Sequence, residues 1–332
     1  METPEATAVS PEHKPLPRLV KYFDEHGLDT LFHRELKITP PGEFNDPFEF
    51  SLALPKDYKP DELRKFYLED KMIARALSSP WFKSEQHYRQ YVEVICSDPR
   101  KYQQVHNERL IEARRGVIDF ADSNCGLGCF STEPVRLEES GQRARMLMWG
   151  HYAEGHRGLL MEFDWTKLSL AWLSFESGKE NPFWVEYEDS RREMRLREFD
   201  PEVYKKEKEF FQILRRWSQG KSKTWVHENE WRFITYFNES LGWTTSRLVG
   251  GRLMHFLSLR SLDGKPATPW EETTQIDVVQ RVVIGCKAEP GFKAEVLRVL
   301  EAPAYRHVHI QEAKPLEREY GLEYKTVRPP AA

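Results

Sequence analysis

The chain has 332 residues, of which 31% are charged and 13% aromatic, and its formal net charge at pH 7 is −4. This length is enough to bury a core in one large domain or two ordinary ones. The nearly balanced charge lacks the basic excess of a dedicated nucleic-acid-binding protein. No window approaches the apolar length of a membrane span, so we expect no contact with a membrane.

The composition of the chain predicts a short leader, residues 1–17, followed by one domain. Residues 1–17 are rich in proline and poor in apolar side chains, so we expect a disordered leader. Their acidic start has no apolar run, and we expect no secretory signal. The four scattered cysteines predict reduced thiols in a cytoplasmic protein, with a zinc site as the alternative. Residues 18–328 contain no repeat, low-complexity tract or convincing linker, which favours a single domain.

The first third of this domain predicts a strand, a turn and then a helical insertion. Residues 18–23 have the apolar and aromatic content of a strand, and the Asn-Asp-Pro sequence at residues 45–47 has turn chemistry. Across residues 60–122, apolar side chains recur at helical spacing, and Ser84 is a candidate N-cap. The pattern predicts three consecutive helices that pack on a sheet as an insertion.

The rest of the domain alternates between predicted strands and helices. Strands are expected at residues 128–132, 159–164, 183–187, 279–285 and 308–310, helices at residues 146–153, 210–217 and 291–300, and a Gly-Gly hairpin at residues 248–253. Together with the first third, these elements predict an α+β fold with a central mixed or antiparallel sheet and a helical insertion. Two small sheets that form a cleft are the alternative arrangement.

The stretch from residue 223 to residue 237 carries the candidate chemistry. It begins polar and ends in aromatic and β-branched residues, which predicts a buried strand. Because side chains alternate across a strand, Glu228, Glu230 and Arg232 would share one face. Buried carboxylates are costly unless they pair or take part in chemistry. Two interpretations therefore stay open, a structural ion pair with Arg232 and a catalytic pair of carboxylates.

Several signatures of known chemistry are absent from the sequence. It has no phosphate-binding glycine loop, no dinucleotide fingerprint, no Gly-x-Ser-x-Gly elbow and no His-Glu-x-x-His. These absences argue against the corresponding hydrolases, dehydrogenases and peptidases. His307 and His309 lie two apart on a predicted strand, which favours exposed edge-strand histidines over a metal site. His151 and His156 flank a turn, where they either line a cleft or bond backbone groups.

The order of several motifs resembles the bacterial family known as domain of unknown function 2971, across nearly the whole chain. The motifs include Phe-Asn-Asp-Pro-Phe-Glu, Met-Trp-Gly-His-Tyr-Ala and Trp-Val-His-Glu-Asn-Glu-Trp-Arg. The residues that carry the resemblance are 19–22, 44–49, 129–131, 148–153, 156–158, 163–164, 225–232 and 283–285. The number and order of these motifs identify the chain as a member of that family.

The chain also has a more distant resemblance, to ADP-ribosyltransferases, which suggests a chemistry for the acidic pair. The resemblance lies in the order of three features: a basic or aromatic first strand, a serine-containing strand and a Glu-x-Glu pair. That resemblance implies that NAD binds as substrate in a cleft between two small sheets, and that no metal is needed. Glu230 would be the catalytic residue that stabilises an oxocarbenium-like state as nicotinamide leaves. Glu228 would position or deprotonate the acceptor, and Ser131 would support the nicotinamide ribose. Lys21 and Tyr22 stand where that superfamily usually has arginine or histidine.

Aromatic side chains complete the site that this resemblance implies. Tyr152 or Trp149 would stack on a ring of NAD. The candidate NAD-contacting residues are Lys21, Tyr22, Asn45, Asp46, Ser131, Trp149, Tyr152, His156 and Arg232.

Three functions are consistent with these residues. The first is an NAD-using ADP-ribosyltransferase-like enzyme, a toxin or phage-defence effector that modifies a protein or nucleic-acid acceptor. The second is a hydrolase of nucleic acid or nucleotides, in which Asp46, Glu49, His151 and His156 form an acid-base or metal cluster. The third is a non-catalytic module with a ligand pocket or partner surface. The enzymatic hypotheses require the acidic pair, the Asn-Asp-Pro turn and the Trp-Gly-His-Tyr segment to converge around one hollow.

Overall fold

The computed structural model describes residues 18–133, 139–164, 182–199, 206–237, 244–259 and 278–330. Over these residues the chain forms an α+β fold with one large mixed sheet and smaller sheets, as the sequence predicts. All four cysteines lie in these ranges and none forms a disulfide. No helix in the same ranges is both long enough and apolar enough to span a membrane.

The strands of the described residues are β1 (Leu19–Phe23), β2 (Glu35–Ile38), β3 (Cys125–Thr132), β4 (Leu159–Phe163), β5 (Phe183–Trp184), β6 (Glu186–Glu188), β7 (Gly220–Ser222), β8 (Glu230–Tyr236), β9 (Thr244–Val249), β10 (Arg252–Ser258), β11 (Val279–Ile284), β12 (His309–Pro315) and β13 (Leu322–Arg328). The large sheet has the order β13-β12-β11-β4-β1-β3-β8-β5, and β11 and β12 are its parallel pair. A second sheet has the order β2-β10-β9, and β6 pairs with β7. β1 therefore lies in the interior of the large sheet, between β4 and β3.

One face of β3 and β8 carries polar side chains at one end and apolar packing residues at the other. Ser131 on β3 pairs with Glu230 on β8, and Arg232 lies two residues further along β8. Because side chains alternate along a strand, these three side chains share a face. Toward the other end of the same face, Leu127 and Ile234 are buried in an apolar cluster with the helical insertion. The sheet thus presents polar groups and a packing surface side by side.

The helices of the described residues are α1 (Gly27–His33), α2 (Pro60–Tyr67), α3 (Asp70–Leu77), α4 (Glu85–Ser97), α5 (Gln103–Asn124), α6 (Glu139–Tyr152), α7 (Glu207–Gln219) and α8 (Pro290–Leu300). Ser84 caps α4 as predicted, because its Oγ accepts a hydrogen bond from the backbone N–H of His87 at 3.2 Å. The prediction of three helices in the insertion is wrong. Its first helix is split into α2 and α3, because Glu69 between them has an extended backbone with φ −63° and ψ 138°.

Two large apolar clusters connect these elements. The first joins buried side chains of β1, β4, β11 and β12 to α8. The second joins α2 to α5 with β3, β8 and α7, through residues such as Val92, Val117 and Phe210. The insertion therefore packs on the sheet, as predicted, and burial of these side chains is the main favourable contribution to that packing.

The stretch that carries the acidic pair is a strand only in its second half. Lys223–Glu228 forms a 3-10 helix, and Asn229 then takes the left-handed conformation with φ 48° and ψ 54°. Asparagine tolerates this conformation, which ends the 3-10 helix and lets β8 begin at Glu230. The predicted alternation therefore holds for Glu230 and Arg232 and is wrong for Glu228.

The two C-terminal histidines are not on an edge strand, contrary to the prediction. His309 begins β12, which lies between β11 and β13, and His307 precedes that strand. The Nε2 atom of His307 lies 2.9 Å from the backbone oxygen of Val279, and that of His309 lies 3.0 Å from Oγ1 of Thr326. Each imidazole therefore has its own hydrogen-bond partner.

The hairpin that joins β9 to β10 is confirmed. Val249 pairs with Arg252 across a turn formed by Gly250 and Gly251. These glycines have φ values of 59° and 80°. Such a two-residue turn requires positive φ, which glycine adopts without a steric penalty.

The turn at Gly158 makes the tightest backbone approach to β1, and it gives a first testable prediction. A Cβ at Gly158 would lie 1.9 Å from the backbone oxygen of Phe23, whereas a Cβ at Gly150 on α6 meets no atom within 4 Å. Gly158→Ala should lower the free energy of unfolding by about 1–3 kcal/mol, because backbone must move. The control Gly150→Ala should raise it by about 0.5–1 kcal/mol, because alanine favours the helix. Urea denaturation measures both changes, and equal effects would contradict the packing described for Gly158.

Candidate active site

A small cavity opens where β1, β3 and β8 meet the 3-10 helix before β8. The volume of this cavity is about 110 Å³. The residues predicted from sequence that line it are Lys21, Tyr22, Asn45, Ser131, Tyr152, Glu228 and Glu230. The acidic pair, the Asn-Asp-Pro turn and the Trp-Gly-His-Tyr segment thus contribute side chains to the same hollow.

The geometry of the sheet explains why these side chains meet. Val20 on β1 pairs with Ser131 on β3, and Ser131 pairs with Glu230 on β8. Three neighbouring strands therefore bring Lys21, Ser131 and Glu230 to one place, although they are far apart in sequence. The end of α6 adds Tyr152, whose hydroxyl hydrogen-bonds to a carboxylate oxygen of Glu228.

Arg232 lies fully buried behind this cavity and fixes the position of Glu230. Its Nε and Nη2 atoms donate to the two carboxylate oxygens of Glu230 at 2.7 and 2.9 Å. The same guanidinium contacts Glu49 at 2.6 Å and donates to the backbone oxygen of Ser218 at 2.6 Å. Burial alone would raise the pKa of Glu230, but the charges of Arg232 and Lys221 outweigh it and hold that pKa well below its usual value.

Lys221 connects all three carboxylates of the site. Its Nζ atom lies 2.5 Å from Glu228, 3.0 Å from Glu230 and 3.2 Å from Glu49. Burial would lower the pKa of Lys221, but the charges of these carboxylates raise it above the ordinary lysine value. Lys221 is therefore a fixed cation, and it keeps Glu228 and Glu230 close together.

Glu228 differs from Glu230 in its ability to hold a proton. Burial and then the negative charge of Glu230 raise the pKa of Glu228, and Lys221 and Tyr152 offset only part of this. Burial, followed by the charge of Glu228, also raises the pKa of Tyr152, so its hydroxyl stays a donor. The cavity therefore contains one carboxylate held ionised and one carboxyl group suited to proton transfer.

A second lysine lies at the other side of the cavity. The Nζ atom of Lys21 donates to the backbone oxygen of Cys129 at 2.9 Å. Burial lowers the pKa of Lys21, and the nearby Cys129 and Glu230 offset only part of that effect. Burial, followed by the charge of Glu230, raises the pKa of the Cys129 thiol, which therefore stays protonated at neutral pH.

Four of the candidate residues do not line this cavity. Trp149 is fully buried, and its Nε1 atom donates to the hydroxyl of Tyr324 at 3.0 Å. His156 stacks on Trp149 with ring centroids 6.3 Å apart. Arg232 lies behind the carboxylates, and Asp46 lines a neighbouring cavity. Trp149, His156 and Arg232 thus support the residues around the cavity from behind.

The neighbouring cavity has a volume of about 290 Å³, and Glu49 and Lys221 line both hollows. Its wall includes the exposed ring of Phe48 and the guanidinium groups of Arg191 and Arg192. Taken together, the two cavities reach the range of about 300–1,000 Å³ that is typical of small-molecule sites.

Sequence reasoning missed one central residue and gave another a different role. Lys221 is not among the residues that the sequence singles out, although the basic segment at residues 221–223 follows the predicted helix at residues 210–217. In the fold this segment has left α7, and Lys221 lies in β7. The sequence places Glu49 only in the candidate hydrolase cluster, whereas in the fold Glu49 pairs with Arg232 and Lys221.

The four residues of that hydrolase cluster are not brought together. Glu49 contacts Arg232, Asp46 lines the neighbouring cavity, and His156 stacks on Trp149. The ring of His151 lies 6.1 Å from that of His227. Among the residues whose positions are described, no group of three or more histidine, cysteine or acidic side chains is arranged to hold a metal ion.

Comparison with known families gives one match. Residues 148–233 match the family described as protein of unknown function, DUF2971. The matched segment covers about a quarter of the chain and contains Trp149, Tyr152, Glu228, Glu230 and Arg232, so it supports the resemblance drawn from the motifs. The likeness over the rest of the chain stays a prediction. No curated protein and no solved structure matches the chain.

The role of Arg232 gives a second prediction. Arg232→Met leaves Glu49 and Glu230 buried without their strongest partner, and removal of one partner of a buried pair costs about 3–5 kcal/mol. We expect that loss in the free energy of unfolding at pH 7, measured by urea denaturation. The control is Arg64→Met, which removes exposed ion pairs that solvent screens, and it should change stability far less. Equal effects of the two substitutions would contradict the anchoring role of Arg232.

Proposed function

We propose that this protein is an NAD-using enzyme of the ADP-ribosyltransferase type, with Glu228 and Glu230 as its catalytic carboxylates. The observation that carries the proposal is the unequal state of two adjacent carboxyl groups in one cavity. Glu230 is held ionised by Arg232 and Lys221, whereas the pKa of Glu228 is raised. Such divided roles are typical of sites that cleave glycosidic bonds.

Glu230 would stabilise the positive charge that develops on the ribose. When the bond between the anomeric carbon and the nicotinamide nitrogen breaks, its electron pair goes to the nitrogen and nicotinamide leaves as a neutral molecule. The ribose then has oxocarbenium character, and a carboxylate already fixed nearby stabilises it without reorganisation. Ser131, which pairs with Glu230 across the strands, would contact the ribose.

Glu228 would act on the incoming nucleophile. A water molecule or an acceptor group forms the new bond to the anomeric carbon and gives up a proton. Glu228 takes that proton in its ionised form, and its raised pKa makes it a better base than an ordinary carboxylate near neutral pH. Tyr152 and Lys221 orient the two oxygens of Glu228.

The neighbouring cavity supplies room for the rest of NAD. Phe48 offers an exposed ring on which a base could stack, with the Arg191 guanidinium 5.8 Å from its centre. Arg191 donates to Oγ of Ser51 at 3.2 Å but has no ion-pair partner among the described residues, so its charge would pair with a diphosphate. The acceptor would be a protein or a nucleic acid, and a toxin or phage-defence role is the context that the resemblance implies.

Turnover of NAD tests the proposal. The full chain is incubated with NAD labelled in the nicotinamide ring, with and without total protein or RNA as acceptor, and released nicotinamide is measured. Glu228→Gln and Glu230→Gln should each lower release by about 100-fold or more. Glu162→Gln is the matched control, because Glu162 is also buried and pairs with an arginine, Arg281, at 2.8 Å. The proposal would be contradicted if the wild type released no nicotinamide, or if the wild type and the three variants released it equally.

One observation favours the binding module as a second candidate. Both oxygens of Glu230 already bond to Arg232, and one also bonds to Lys221, as expected for a structural ion pair. A binding module would bind NAD without releasing nicotinamide. Titration calorimetry beside the turnover assay separates the two candidates, since binding of NAD without turnover supports the module alone.

The pH dependence gives a prediction specific to Glu228. Activity should fall as pH decreases through the raised pKa of Glu228, because only the ionised form accepts a proton. The Tyr152 hydroxyl stabilises that ionised form, so Tyr152→Phe should raise the pKa further. The acidic limb of the pH–rate profile should then move to higher pH by about 0.5–1 unit. Tyr58→Phe, which removes a hydroxyl that donates to Asn107 in the insertion, should leave the profile in place. A shift to lower pH would contradict the role of Tyr152.

A further inference from the structure

The helical insertion contains a cavity larger than either hollow at the candidate active site. Its volume is about 590 Å³, and most of its wall is apolar or aromatic, including Phe66, Met72, Phe82 and Leu110. The cavity is open to solvent, since Arg75 and Gly116 in its wall are exposed. A cavity of this size and lining has the properties of a small-molecule site.

A buried histidine without a full set of partners lies in the wall of this cavity. His106 is 1% exposed, and no hydrogen-bond partner of its Nε2 atom occurs among the described residues. Its Nδ1 atom lies 3.0 Å from the hydroxyl of Tyr67. Burial lowers the pKa of His106 to about 4, so the ring is neutral at pH 7.

The surrounding bonds favour a proton on the unpartnered nitrogen. Arg109 donates to the Tyr67 oxygen at 3.4 Å, which leaves the Tyr67 hydroxyl to donate to Nδ1 of His106. The neutral imidazole then carries its proton on Nε2. A buried N–H group without an acceptor is costly, and an acceptor oxygen of a bound ligand would remove that cost.

The charged groups around the cavity also favour an anion. Arg75 and Arg109 line it and are exposed, and neither has a carboxylate partner in the described part of the chain. Glu112 is the single acidic residue of the wall. The wall therefore combines a large apolar surface with an excess of positive charge.

We propose that this cavity binds a small molecule with an apolar body and one anionic group, such as a medium-chain or aromatic carboxylate. The apolar body occupies the space between α2, α3, α4 and α5. The carboxylate accepts from Nε2 of His106 and pairs with Arg109 or Arg75. This site shares no wall residue with the two cavities at the candidate active site, so it does not depend on the NAD proposal.

Gly116 offers a direct test, because it lines the cavity from the interior of α5. A Cβ at Gly116 meets no atom within 4 Å, so Gly116→Phe introduces a ring at the wall of the cavity without a clash at Cβ. Replacement of a helical glycine also favours the helix, so this variant should fold. Gly291→Phe is the matched control, because Gly291 lies in α8 and also has open space around it.

Titration calorimetry on the full chain uses decanoate, 4-phenylbutyrate and the neutral analogue decanol as probes. We expect the wild type and Gly291→Phe to bind at least one acid with one site, and Gly116→Phe to bind neither. The wild type should bind decanol about tenfold more weakly than decanoate. The double variant Arg75→Gln/Arg109→Gln should bind decanoate about tenfold more weakly than the wild type does. The proposal is overturned if neither acid binds the wild type, if Gly116→Phe binds as the wild type does, or if decanol binds as tightly as decanoate. A concentration-dependent dimer that Gly116→Phe abolishes would also overturn it, since a second copy would then occupy the cavity.

Discussion

The ion pair between Arg232 and Glu230, extended to Glu49, is the interaction on which the candidate site depends. A fully buried guanidinium is costly to desolvate, and here two carboxylates and a backbone carbonyl compensate for it. The pair also joins three distant parts of the chain: β8, the turn that contains Glu49, and the end of α7. Loss of this arrangement would separate the groups that surround the small cavity.

The same network makes two chemically identical side chains different. Both carboxylate oxygens of Glu230 accept hydrogen bonds from cationic side chains, which holds the pKa of Glu230 low. Glu228 lies at the end of a 3-10 helix, where one oxygen faces the Tyr152 hydroxyl and the other faces Lys221. Its raised pKa follows from burial beside an existing negative charge. A fixed anion next to a proton acceptor is a useful pair for chemistry at a developing positive centre.

One side of the large sheet supports both the candidate active site and the insertion. Ser131, Glu230 and Arg232 lie at one end of a shared face, and Leu127 and Ile234 pack against the insertion at the other. The insertion thus stabilises the strands that hold the carboxylates. It also forms the separate, mostly apolar cavity whose wall includes Arg75 and Arg109.

The sequence by itself determined the elements whose signals are local. Alternation along β8 placed Glu230 and Arg232 on one face, Ser84 marked the start of α4, and two glycines marked the hairpin. These features depend on neighbouring residues, so periodicity and turn chemistry reveal them. Only the tertiary structure decided that Lys221 bridges the carboxylates and that Glu49 pairs with Arg232, 183 residues away. Such contacts depend on strand order and register across the whole sheet, which local sequence patterns do not encode.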